Sequence, residues 1–254
     1  MSIIRNWLRR WRIKRAVWQE SWFQAVLHRV PRLAALSVAE QDQLRSLVQT
    51  FLVDKHFHGA DGLALDQSIK TKIATLACWP ALKLGYGALE GWFDVIVYPG
   101  AFKARRTRRD EDTGVVHEYD QELAGEAWQA GPIVLSLEEI ERDLSYPHLV
   151  QNVVIHEIAH KLDALDHAMD GMPPLHPHMR TRDWIEAFSA AYAALQRDIE
   201  AGESLAINRY AATNPQGFFA VSSEHFFLNP EPLKLAYPQV YQQLDAFYQR
   251  AGHA

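Results

Sequence analysis

The sequence predicts an α+β fold: one mostly helical domain with a small β-sheet, carrying an H-E-x-x-H motif on a buried helix. Three observations predict it. Apolar residues recur at helical spacing through both ends of the chain. Stretches rich in β-branched and aromatic residues cluster in the middle. No Pro/Gly/Ser-rich linker, internal repeat or low-complexity segment divides the 254 residues. Helices, then a small sheet, then helices is an α+β order.

Composition narrows the classes. Hydrophobic residues make up 48% and charged residues 22%, as in a soluble globular protein. A net charge of -5 argues against nucleic acid as a direct partner. A single cysteine, Cys78, excludes an internal disulfide framework, and its apolar setting reads as a small buried hydrophobe. No apolar run is long enough to span a bilayer.

The elements follow in order. Residues 1–20 form a basic amphipathic N-terminal helix, and residues 21–254 the main domain. Ile4, Trp7, Leu8 and Trp11 share one helical face, among Arg5, Arg9, Arg10, Arg12, Lys14 and Arg15. There is no continuous apolar region or cleavage site of a signal peptide. The helix is expected to pack its tryptophans on the domain; weak contact with an anionic membrane is the alternative. Ser37 and Glu40 make a capping-box pattern ahead of "QDQLRSLVQTFLVDK". "DQSIKTKIATLACW" is a second helix, stopped near Pro80.

Three stretches read as strands: "FDVIVYP" (93–99), "GVVHEYDQEL" (114–123) and "GPIVLS" (131–136). The charge run "KARRTRRDEDTG" between the first two reads as an exposed hairpin loop. Ser136 and Glu139 repeat the capping pattern before "EEIERDL". Pro147 suits a first helical turn, and a helix is predicted from there to Asp163. A breaker-rich loop precedes "RDWIEAFSAAYAALQRDIEAG", which ends at Gly202 as a helix C-terminus should. Pro215 opens a helix over "NPQGFFAVSSEHFF", and "PQVYQQLDAFYQ" is a last one.

"NVVIHEIAHKLD" carries the chemistry. His156 and His160 stand four apart, so a helix puts both on one face within reach of one ion. Glu157 follows His156 and approaches the open metal position without ligating it, where it accepts a proton from metal-bound water. The alternative is a pair of hydrogen-bonded core histidines. Against it, Val150, Val153, Val154, Ile158 and Leu162 surround the pair, and polar groups in so apolar a helix need partners.

Catalytic zinc takes three protein ligands plus water. A metzincin-type extension fails, because Asp163 and Asp166 stand at its glycine and histidine positions. Asp166 is one candidate third ligand. Glu224, the acid in the later "FFAVSSEHFF" helix, is the preferred one. Glu186 and Glu200 lie on a helix whose register the sequence leaves open. Asp163 reads as an acceptor that orients a ligand imidazole, or as a helix-end residue.

Four stretches, "VVIHEIAHKLD", "VIVYPGAF", "AGEAWQAGPIVLS" and "YAATNPQGFFAVSSEHFF", together resemble the Mlc titration factor A family of bacterial zinc peptidases. The resemblance runs from about residue 20 to about residue 250. It implies a lethal-factor-like zinc peptidase core. It also implies a cytoplasmic metallopeptidase with aminopeptidase-type activity on small peptides, linked to glucose phosphotransferase control through binding the Mlc repressor. His156 and His160 then match the zinc ligands, Glu157 the general base, and Tyr210 a tyrosine that steadies the oxyanion. The family's third ligand is a glutamate shortly after the "NP" pair, and Gly217 stands there in this chain. Glu224 matches a second acid seven residues on. A weakened site that sequesters a repressor without cutting it is the competing expectation.

Overall fold

The computed structural model describes residues 9, 11–13, 15–100 and 131–249. The predicted strand 114–123, the charge run 103–114 and most of the N-terminal amphipathic face lie outside the described residues. From Glu20 on, three helices follow one another: α1 (Glu20–Arg29), α2 (Pro31–Ala34) and α3 (Val38–Asp54). Strand β1 (His56–Gly59), α4 (Gln67–Cys78), β2 (Asp94–Tyr98) and β3 (Ile133–Ser136) follow. Then come α5 (Leu137–Ser145), α6 (Val153–Asp163), α7 (Thr181–Ala201), α8 (Pro215–Leu228), α9 (Glu231–Ala236) and α10 (Pro238–Tyr248).

Local signals explain most boundaries. The box at the start of α3 is complete: the Glu40 amide donates to Ser37 Oγ, and the Ser37 amide donates to Glu40 Oε2. Ser136 Oγ accepts from the Glu139 amide at α5. The α7 helix ends on Gly202 at φ 71, a left-handed conformation that only glycine adopts without a Cβ penalty. Cys78 is fully buried in the core, as its apolar setting implied.

The described strands form a sheet in the order β1-β2-β3, with both pairs parallel. Register pairs His56 with Asp94 and Val95 with Ile133. Strand β1, "HFHG", was not expected, because it carries one apolar residue between two histidines and no β-branched signal. It forms because β2 supplies hydrogen-bonding partners and Phe57 packs edge-on against Phe51, ring centroids 6.1 Å apart.

The helix predicted from Pro147 to Asp163 is broken. Pro147–Leu149 is a 3-10 turn, and Val150 then takes a left-handed conformation at φ 50. Asn152 caps a new start by accepting the Ile155 amide at 3.0 Å. Asparagine is a strong N-cap because its oxygen satisfies an amide that the helix leaves unpaired. The motif helix α6 is thus 11 residues long. Its Val154, Ile155, Ile158, Ala159 and Leu162 are fully buried, each large one worth about 1.5–3 kcal/mol of transfer free energy. Its far face meets the sheet side, where Lys161 donates to Gly131 O at 2.7 Å.

At the N-terminus, Arg9 pairs with Asp54 and with Glu90, and lies 4.8 Å from the Tyr86 ring centroid. That guanidinium is used within the domain. Among the described residues no helix is long and apolar enough to cross a membrane.

Candidate metal centre

The motif helix is held where its histidines must face one another. Its first two amides are met from outside: Asn152 N donates to Glu224 Oε2 at 2.7 Å, and Val153 N donates to Asp143 Oδ2 at 2.9 Å. One turn on, His156 and His160 present their rings at 80° with centroids 4.8 Å apart. Their Nε2 atoms are 3.1 Å apart.

The His156 Nδ1–H donates to Glu224 Oε1 at 2.7 Å. A carboxylate there holds the ring proton on Nδ1, so Nε2 carries a lone pair directed toward His160. The 3.1 Å contact is then closed either by a hydrogen that His160 Nε2 donates or by a cation held between the two nitrogens. Zinc–imidazole bonds of about 2.0–2.1 Å in a tetrahedral centre place two ligand nitrogens roughly 3.3–3.4 Å apart. The observed separation is close to that, and imidazole suits zinc and its neighbours among the transition metals. The two histidines therefore fit two positions of such an ion, one short of the three protein ligands that catalytic zinc takes.

For the third position the sequence preferred Glu224. Glu224 is buried on α8 with both oxygens committed, one to His156 and one to Asn152 N. It engages the ring nitrogen remote from His160. Burial pushes its carboxyl up, while the His156 and Asn152 donors pull it back. Asp166 is exposed and accepts its own loop's Ala168 amide at 3.2 Å. Glu186 pairs with Arg182 along the exposed face of α7. Among the described residues no three His, Cys, Asp or Glu side chains form a group able to hold a metal.

Asp163 also differs from one of its two readings. Its carboxylate accepts the Gly171 amide through both oxygens at 3.0 Å, so it ties down the loop after the helix. Gly171 sits at φ 85 against Pro215, where a Cβ would come 2.6 Å from the carbonyl oxygen. Asp163 thereby locks α6 to the start of α8. Burial pushes its carboxyl up to about 7.

Tyr210 does reach the site. It stands on a 3-10 turn, Arg209–Ala212, whose Asn208 side chain accepts the Tyr210 amide. Its ring is 5.6 Å from that of His156, and it is 55% exposed. Gly217 lies behind it: a Cβ there would be 3.9 Å from Tyr210 Cε1 and 3.1 Å from Asn214 Oδ1. Glu157 is partly buried on the same helix as the histidines. Two contributors went unread in the sequence, Asn152 and Asp143. Asn152 had a signal, an asparagine three residues before Ile155 at a helix start. Asp143 had none, since only the packing of α5 on α6 brings it to Val153.

Comparison with known proteins places the chain in a family. The chain is 38% identical over 231 residues to the Mlc titration factor A of Klebsiella pneumoniae strain 342, covering 90% of this chain and 85% of that protein. It is 37% identical over 223 residues to the protein of that name from Enterobacter sp. strain 638, covering 87% and 83%. For Escherichia coli strain K12 / DH10B the figures are 35% over 244 residues, 94% and 90%. The profile of the glucose-regulated metallo-peptidase M90 family matches residues 4–249, and the chain belongs to that family.

Proposed function

We propose that this protein is a zinc-dependent peptidase of aminopeptidase type acting on small peptides. The observation that carries the reading is the pair of Nε2 atoms 3.1 Å apart, with Glu224 on the opposite nitrogen of His156. His156 and His160 would hold the ion. Bound zinc supplies Lewis-acid polarisation of a scissile carbonyl. Glu157 takes the proton from the attacking water and passes it to the leaving amine. Tyr210 donates its phenolic hydrogen to the oxygen that gains charge. Glu224 is a positioning residue in this reading: it fixes the tautomer and angle of His156.

The test is metal content beside hydrolysis of a peptide library, for wild type and Glu157→Gln. Zinc should be stoichiometric in both, with turnover reduced about 10²- to 10⁴-fold in the variant. A zinc-loaded wild type that cleaves no peptide sinks the proposal.

A second reading is a regulatory protein with a weakened site that sequesters an Mlc-type transcription repressor. Gly217 favours it, since glycine brings no ligand to the wall beside Tyr210. So do the relatives, which carry the name Mlc titration factor A. Capture of a purified repressor by Glu157→Gln as well as by wild type supports binding without cleavage. No capture by either removes it.

A further inference from the structure

Beside His156 and Tyr210 lies a pocket of about 170 Å³, open to solvent. Val150, Val153 and Val221 form its apolar wall, and Tyr210 one side. Arg142, Asp143, Gln151, His156, Asn208 and Glu224 also line it, and its two carboxylates are already engaged. Both oxygens of Glu224 accept donors, from His156 and Asn152. Asp143 accepts Val153 N through Oδ2 and the Arg142 guanidinium through Oδ1. All four carboxylate oxygens in the pocket thus have internal donors, so it offers an ammonium group little.

Size and shape point the same way. An enclosed apolar cavity of about 150 Å³ holds a benzene ring, so this open pocket of about 170 Å³ has room for one side chain of that size. Val150 keeps φ 50, a conformation that costs a β-branched residue free energy, and it keeps it on this wall. Leu149, its chain neighbour, is 48% exposed, and Tyr210 is 55% exposed. The Tyr210 ring therefore offers apolar surface on the pocket's open side.

We propose that this pocket is the specificity pocket of the peptidase, taking an uncharged apolar side chain of leucine or phenylalanine size from the residue flanking the scissile bond. The proposal rests on the peptidase reading above and adds the substrate class.

The test is binding of dipeptide amides to zinc-loaded Glu157→Gln by calorimetry. Two series, Xaa-Ala and Ala-Xaa, place Xaa on either side of the bond, with Xaa as Gly, Leu, Phe or Lys. In one series Leu or Phe should bind about 10- to 100-fold tighter than Gly, with Lys close to Gly. Val153→Phe in the same background should erase that preference. Val221→Ala, which enlarges the pocket, should move the preference from Leu toward Phe. Equal affinities in both series overturn the pocket, as does a preference that neither substitution changes. Side-chain-dependent binding without hydrolysis by wild type would remove the peptidase reading and leave the pocket. Hydrolysis without side-chain preference would do the reverse.

Discussion

Helices α6 and α8 pack against each other and are built alike, yet they contribute to the site in opposite ways. Each begins at an asparagine whose side chain accepts an amide three residues on, Ile155 in one and Gly217 in the other. Each is deeply buried. Helix α6 brings two partly buried imidazoles together on one face of an apolar body. Helix α8 buries its one acid and turns it on the back of His156. At its third position, beside Tyr210, it has no side chain at all. Seven residues, about two turns or roughly 10 Å along a helix, separate the glycine beside Tyr210 from the carboxylate on His156 Nδ1. In the peptidase reading, that displacement makes Glu224 a support of His156.

Substitutions at Glu224 should break this contrast most strongly. Glu224→Ala leaves His156 and Asn152 N without their buried acceptor. It should cost about 3–5 kcal/mol of stability, read by denaturant unfolding. Zinc affinity should fall about 10- to 100-fold, as for other outer supports of a ligand histidine. Glu224→Gln keeps one acceptor oxygen and should lie between. Complete loss of zinc in the Gln variant would make Glu224 a ligand after all.

Gly217→Glu sharpens the other half. The new side chain starts 3.1 Å from Asn214 Oδ1, which must yield by a few tenths of an ångström. A glutamate at the third helical position has two uses. It reaches past Tyr210 toward the histidines, or it folds back on the Asn214 amide as a capping box. The first outcome should raise zinc affinity tenfold or more in a chelator competition, about 1.4 kcal/mol. The second should raise only the melting temperature.

The smallest effect concerns the Asp163 latch between the two helices. Burial raises its carboxyl from an ordinary 3.8 to about 7, with Asp170 and Asp166 adding to the push and Gly171 N opposing it. The folded chain therefore keeps this proton over a range where the unfolded chain has lost it. The resulting stability is full below about pH 4 and is lost as pH rises through 7. Asp163→Asn keeps an acceptor for Gly171 N but does not titrate. Its melting temperature, measured in chelator at pH values from about 4 to 8, should fall less with rising pH than that of wild type. Parallel profiles would remove the latch as a titrating group.

Local chemistry in the sequence was enough for a good part of this protein. The capping serines, Gly202 and the β-branched run at Asp94–Tyr98 announced their elements, because caps and strand propensity act over a few residues. The histidine spacing announced a shared helical face for the same reason. Strand β1 and the break at Val150 were not legible: one depends on a partner strand, the other on Asn152 winning the helix start from Pro147. The family resemblance placed Gly217 and Glu224 in order along the chain, but order is not direction. Which atom Glu224 meets depends on how α8 crosses α6, and that crossing is set by packing among Ile155, Ile158, Phe219 and the rest of the shared core. Spacing within one helix determined that two imidazoles converge. Only the tertiary structure decided that the buried acid stands behind them, because the distance between two helices is a property of the core and of no single segment.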